Sequence, residues 1–289
     1  MESKTHLRDW SFEMSLTQEQ IKRATDVFRI LASVEFNHKK RTDPQQNFME
    51  PLEVVSVAVG LKPSFCAGLS DYHEPFCKNL IKISGNIGLQ FARTPTSEIR
   101  VQLKAFAGHN ISLQLLSRFA ELLLTKEDKR TQLLWLYLDH GLKTRIVDAA
   151  SGKISLGETL GYPKCCTDAY LQNEADLMET EMEFYSKNFG AKTDDDFIAL
   201  YKKSAPIEGK FMVKLQTVRD EITTRQAWSI NKHPFVHFIS CGRCLDDPNS
   251  PAALLNNEMR ELAHAMNSTF ARKFTSYADS YFSMFQESR

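Results

Sequence analysis

Hydrophobic and polar positions alternate along this chain in two periods, and the change of period predicts its elements. Thr17 and Gln20 form a capping-box pair. Ile21, Ala24, Phe28, Leu31 and Val34 follow at helical spacing and predict a first helix. Asn37 to Asn47 is polar, contains Pro44 and reads as a loop. Residues 51–61 are apolar, with Val54, Val55, Val57 and Val59, and stop at Gly60-Leu61-Lys62-Pro63. Between 98 and 107 the period becomes two. Ile99, Val101, Leu103 and Ala105 alternate with charged or amide residues, as in a half-buried strand. A turn at Gly108-His109-Asn110 leads to Leu115, Leu116, Phe119, Leu122 and Leu123, which fit a helix better than a strand.

The run Leu133-Leu134-Trp135-Leu136-Tyr137-Leu138 is short for a helix and suits a buried strand. Residues 143–150 read as a short strand before the Gly152 turn. From 155 onward the pattern is mostly helical, with a helix near 208–226 on Phe211, Met212, Leu215 and Val218. Asp194-Asp195-Asp196 after Thr193 marks a helix N-terminus. In the last helix, Ser250 is the cap and Pro251 the first residue. Leu255, Met259, Leu262, Met266, Phe270, Phe274, Tyr277 and Tyr281 hold one face for about 30 residues, about 45 Å at 1.5 Å per residue. A helix of that length crosses the molecule, bends, or makes a homodimer contact. The expected class is α+β, predominantly helical with a small sheet and a long C-terminal helix. The expected regions are 1–150, helix and strand, and 151–289, a Cys/His cluster region carrying the long helix.

Composition narrows the function. The chain has 289 residues, 42% of them apolar, with 36 basic and 36 acidic side chains. The balanced charge argues against nucleic acid as partner and against a polybasic membrane patch. The start, Met1 to Asp9, is charged with both signs and lacks the apolar core of a secretory signal. No apolar run approaches the roughly 20 residues that span a bilayer. The expected location is the cytoplasm, where the six cysteines serve as ligands, reactive thiols or small buried residues rather than disulfides.

Two segments carry the chemistry. In Leu160-Gly161-Tyr162-Pro163-Lys164-Cys165-Cys166, Gly161 ends one short helix and Pro163 starts the next. Cys165 and Cys166 then fall in a first turn, where free N–H groups and the helix dipole favour a thiolate. In His233-Pro234-Phe235-Val236-His237-Phe238-Ile239-Ser240-Cys241-Gly242-Arg243-Cys244, an extended 235–240 would put His233, Phe235, His237, Ile239 and Cys241 on one face. Gly242 lets Cys241 and Cys244 converge on one ion. The expected metal ligands are Cys165, Cys166, His237, Cys241 and Cys244, and the catalytic set is Cys165, Cys166 and His237. Arg243 would stabilise thiolate charge, and Phe235 would help wall a pocket for the bound group. Two other readings stay open: buried thiols with His237 merely hydrogen-bonded, and thiol redox chemistry without metal.

The pattern Gly-Tyr-Pro-x-Cys-Cys at 161–166, followed about 70 residues later by a Cys-x-x-Cys element, resembles the archaeal and bacterial family catalogued as domain of unknown function 483. Gly60-Leu61-Lys62-Pro63-Ser64 matches it as well. The resemblance covers 150–289 and implies that Cys165, Cys166, Cys241 and Cys244 act together; it implies no activity. Leu245 to Pro251 departs from the archaeal pattern.

Weaker candidates remain. Cys66, His73 and Cys77 form a second potential cluster, though flanking Phe65 and Phe76 suit buried cysteines. Asp139-His140-Gly141 is a general-base candidate that reads more readily as a turn. Arg93, Arg145 and Lys153 are surface cations able to meet an anionic substrate. There is no Gly-x-Ser-x-Gly elbow, phosphate-binding loop or dinucleotide fingerprint. Two functions fit. One is an enzyme with iron, an iron–sulfur cluster or zinc, keeping an open coordination position for a small-molecule substrate in a pocket walled by Phe235, Phe238 and Met259. The other is a non-catalytic module in which a closed zinc site pins the final helix to the helix at Pro163, with function in partner binding.

Overall fold

The computed structural model describes residues 16–33, 44–69, 74–95, 132–151, 153–203, 224–225 and 227–287. Its elements, in order, are α1 (Gln18–Ser33), α2 (Pro44–Ala58), β1 (Ser64–Leu69), α3 (Glu74–Ser84), β2 (Gln90–Pro95), β3 (Gln132–Tyr137), α4 (Leu142–Ala150), α5 (Leu156–Thr159), α6 (Lys164–Phe189), α7 (Asp194–Lys203), α8 (Gly242–Asp246) and α9 (Pro251–Glu287). The expected class holds: helices predominate around one small antiparallel sheet.

The sheet runs β1-β3-β2 with β3 in the middle, and Leu136 faces both Phe65 and Phe91 across the ladders. That position explains the ambiguous apolar run at 133–138. Leu134 and Leu136 point into the main core, while Leu133, Trp135 and Tyr137 meet Leu142, Ile146 and Ala149 of α4 on the other side. A strand covered on both faces has no polar alternation to display. Trp135 satisfies its indole N–H on Thr94 Oγ1 at 2.9 Å.

The main core is built by α1, α2 and α9 against the sheet. The capping box is present: Gln20 N–H donates to Thr17 Oγ1, and Thr17 N–H donates to Gln20 Oε1. From Met49 to Ala58, α2 is buried nearly all round, with Leu52, Val54, Val55, Val57 and Ala58 without exposure, as a helix segment apolar on every face must be. It starts at Pro44, so the end of the expected 37–47 loop is helix; proline suits a first helical turn, where its missing N–H costs nothing. After Ala58 the chain turns at Gly60, φ +77°, and Leu61 N–H donates to Ser56 O at 2.8 Å.

Three other expectations change. Residues 143–150 form the helix α4, not a strand. Leu142, Ile146, Ala149 and Ala150 share its buried face, and that spacing outweighs the β-branched Thr144, Ile146 and Val147. Residues 235–238 form a turn and bends, and no strand runs through 235–240. Their backbone is held by side chains instead of a ladder: Phe235 N–H donates to Asn256 Oδ1 and Ser240 N–H to Ser229 Oγ. The long last helix bends, with Asn267 at φ −161° and ψ 95° interrupting it. Before and after the break, Leu255, Met259, Leu262, Met266 and Phe274 face the main core. The three other helix N-termini read from sequence stand: Thr193 Oγ1 accepts from Asp196 N–H, Pro163 precedes α6, and Ser250 Oγ accepts from Ala253 N–H. The expected strand at 98–107, the turn and helix to 123, and most of the helix near 208–226 lie outside the described residues. No helix among the described residues is long and apolar enough to cross a membrane.

Candidate metal centre

The centre is assembled from two chain segments 75 residues apart. In the first, Ser155 caps α5 by accepting from Glu158 N–H. The chain then reverses at Gly161, φ +82°. A Cβ there would lie 2.4 Å from Pro63 Cδ, so both the conformation and the packing require glycine. Pro163 N-caps α6, and Cys166 and Thr167 N–H groups both donate to Pro163 O at 3.0 Å. Cys165 and Cys166 thereby stand in the first turn of a 26-residue helix, at its positive end.

In the second segment Cys241 N-caps the short α8, and Leu245 N–H donates to Cys241 O. One helical turn brings Cys244 back beside Cys241. Ser250 then links this turn to the last helix: its hydroxyl donates to Cys244 O at 2.9 Å and accepts from Ala253 N–H.

The sulfurs of Cys165, Cys166, Cys241 and Cys244 all lie within 4.8 Å of one another. Cys165 Sγ and Cys244 Sγ are 3.5 Å apart, and all four thiols are free. Ala169, Phe238 and Ala252 pack around them. Two sulfurs receive backbone N–H groups, Cys166 from Cys241 at 3.4 Å and Cys244 from Ala252 in the first turn of α9. The Ala252 N–H has no helical carbonyl to meet, so the sulfur occupies a ready-made acceptor position. N–H bonds to sulfur are the usual support for thiolate ligands of a metal.

The four thiols are not equivalent. Cys166, Cys241 and Cys244 are buried, whereas Cys165 is half-exposed. Burial pushes the Cys166 thiol strongly up, against the pull of the Cys241 N–H. Burial, then donation to Cys165, pushes Cys244 up to about 11. Burial also works against the Cys165 thiolate, but hydrogen bonds from Cys244, the Arg243 guanidinium, Cys241 and Cys166 outweigh it and hold that thiol below its usual range. Cys166 and Cys244 thus hold their protons more firmly than an ordinary thiol, and Cys165 less firmly. Arg243 is exposed to solvent, and the neighbouring Cys165 sulfur raises its pKa.

Two expected site residues are placed elsewhere. His237 is exposed and is not part of the four-sulfur group, because the segment that was to align it with Cys241 bends instead of extending. Phe235 is fully buried in the main core, its ring 5.4 Å from that of Phe274, and Met259 is buried with it. Neither walls a pocket at the sulfurs; of the expected wall, Phe238 alone packs there. His233 is likewise turned away, its Nδ1 2.7 Å from Ser240 Oγ. Burial, then nearby Lys232, lowers its pKa and favours the neutral ring. Of the weaker candidates, Cys66 is half-buried on β1, while His73 and the Cys77 side chain lie outside the described residues. Asp139 Oδ1 accepts from Gly141 N–H at 2.8 Å, which makes the Asp139-His140-Gly141 segment a turn. Lys153 pairs with Asp148.

One feature of the centre escapes motif reading. Glu53 of α2 and Lys62 form an ion pair that is almost wholly buried. Lys62 Nζ lies 4.7 Å from the centroid of the Tyr162 ring, and that ring lies 4.7 Å from Phe238. Burial, then Glu53 and Cys66, raises the Tyr162 phenol well above its ordinary value. A line of contacts thus runs from the core helix α2 to the side chain that covers the sulfurs. The sequence signal for it is a single acid, Glu53, within the apolar stretch from Leu52 to Ala58.

No protein-family model matches the chain, and no curated protein or solved structure matches it either.

Proposed function

We propose that this is a metal-binding protein in which Cys165, Cys166, Cys241 and Cys244 hold one tetrahedral ion, zinc or iron. The carrying observation is the mutual distance of the sulfurs, all within 4.8 Å. Zinc–sulfur bonds of about 2.3 Å in a tetrahedron put sulfurs about 3.8 Å apart. A polynuclear iron–sulfur cluster places several atoms between its cysteines and needs them more widely spread, so the geometry favours the single ion. Four protein ligands also close the coordination shell, which favours a site that holds over one that keeps a position for substrate. The ion would fasten the start of α6 to α8 and the start of α9. The resemblance to domain of unknown function 483 belongs to the same proposal, since its two cysteine elements are the two halves of this centre. Such thiolate ligands persist in a reducing compartment such as the cytoplasm.

The test is metal analysis, visible absorbance and acid-labile sulfide on anaerobically purified protein. The expected result is one zinc or iron per chain without sulfide, lost in Cys166→Ser and in Cys241→Ser. Stoichiometric sulfide would overturn the single-ion reading, and metal-free protein of full stability would overturn the metal site.

A further inference from the structure

Cys241 enters the centre from a stretch with no regular structure, and buried polar side chains hold that stretch. Residues 239 and 240 belong to neither helix nor strand, yet Ser240 has no exposure. Its N–H donates to Ser229 Oγ at 2.8 Å, and its hydroxyl lies 2.7 Å from His233 Nδ1. Ser229 and His233 are themselves buried. Ser229 acts twice, since its hydroxyl donates to Phe238 O at 3.4 Å and Phe238 packs on the sulfurs. The next N–H along the chain, that of Cys241, donates to Cys166 Sγ at 3.4 Å. Ser229 stands in a helical stretch, 227–232, and His233 follows it, with its own N–H donating to Ser229 O at 2.8 Å. Contacts away from the cysteines anchor that stretch. Arg225, just before it, donates to Asn173 of α6 at 2.9 Å, and Asn231 donates to Asp279 of α9 at 3.2 Å. Buried hydroxyl and imidazole groups are costly unless bonded, and a bonded network of them specifies one arrangement. Here the arrangement specified is that of the Ser240–Cys241 peptide.

We infer that Ser229, His233 and Ser240 are positioning residues of the centre, which hold Cys241 in place for the ion. The inference rests on the reading of the four cysteines as a metal site and deepens it. Ser229 takes the backbone N–H of Ser240 and His233 takes its hydroxyl, so Ser240 is gripped on both sides. The Cys241 N–H is thereby aimed at Cys166 across the centre. Arg225 ties the same stretch to α6, the helix that carries Cys165 and Cys166. The two halves of the centre are therefore held in register by protein contacts, and the ion meets a ligand set already ordered. Without the His233 contact, metal binding itself would have to order Cys241, and that ordering costs affinity.

Cobalt(II) is the probe, because its absorption reports how many sulfurs it binds and in what geometry. The full-length protein, stripped of metal under reducing conditions, is titrated with cobalt against a competing chelator. His233→Leu and Ser240→Ala should each weaken cobalt binding by about tenfold or more, the range for partners that orient metal ligands. His233→Asn, whose amide can stand where Nδ1 stands, should recover most of the loss. A merely structural role would lower urea stability and leave the cobalt affinity of the folded protein as it was. Unchanged affinity in His233→Leu and Ser240→Ala, or a loss that His233→Asn does not recover, would overturn the inference. Should His233→Leu fail to fold, Ser240→Ala, which removes a single oxygen, carries the test. A second readout needs no ion. The metal-free chain is labelled with N-ethylmaleimide and the labelled peptides are identified by mass spectrometry. In Ser240→Ala the labelling rate of Cys241 should rise relative to that of Cys165, and an unchanged ratio would overturn the inference. Wild-type protein that takes up no cobalt would remove the metal reading, while the Cys241 labelling ratio would still decide whether these side chains hold that residue.

Discussion

A glycine and a set of thiols show how single residues set this centre. Gly161 is held at φ +82° with Pro63 Cδ 2.4 Å from its absent Cβ, whereas Gly60, at φ +77°, has nothing within 4 Å. Gly60→Ala therefore meets only the left-handed backbone penalty, about 1 kcal/mol. Gly161→Ala adds a clash with a proline ring and should cost about 2–4 kcal/mol; urea unfolding of the two variants measures the difference, and equal losses would refute the close approach to Pro63. The thiols predict a pH dependence. Cys166 and Cys244 are pushed up, Cys244 to about 11, so both carry protons in the metal-free chain at neutral pH. A metal must displace at least those two protons. Its apparent affinity should rise about a hundredfold per pH unit near neutrality and weaken on acidification. Competitive metal titrations at two pH values, with proton release followed in weak buffer, check the sign and the count.

Between elements, the Glu53–Lys62 pair joins α2 to the turn under Tyr162. Both side chains are almost without solvent, so removing one leaves the other charged or unsatisfied in the core. Lys62→Met and Glu53→Gln should each cost about 3–5 kcal/mol. The double variant should recover much of that loss, because the remaining uncompensated charge is gone. A double-mutant cycle by chemical denaturation reads the coupling; additive losses would mean that the two groups do not rely on each other. Lys62 also lies over Tyr162, which packs on Phe238. The single variants are therefore expected to increase the labelling rate of Cys166 and Cys244 as well as lowering stability.

Across the whole molecule, the four-cysteine centre and the main core are separate packing units joined through Phe238. The core of α1, α2, α9 and the sheet contains none of the four cysteines. Chelation should consequently loosen the centre without melting the protein. Amide exchange is expected to accelerate at 163–169 and 241–250, while the amides of 52–58 in α2 keep their protection. Loss of protection in α2 together with the centre would show that the ion supports the entire fold rather than one corner.

Local signals determined much of this protein. The capping pair of α1, the proline and glycine punctuation around 161–163, and the Ser250–Pro251 start of α9 were legible because each depends on neighbours within a few residues. So was the convergence of two cysteine pairs, since a helix start and a one-turn loop each hold two thiols close together. Tertiary structure decided the rest. It set α4 as a helix by giving Leu142, Ile146 and Ala149 a sheet to cover. It removed His237 and Phe235 from the centre, because the segment at 235–240 takes its hydrogen bonds from Asn256 and Ser229, whose positions no local pattern reveals. It also made one cysteine unlike the other three. Which sulfur meets solvent beside an arginine depends on how two segments 75 residues apart pack together, and that relation has no period in the chain.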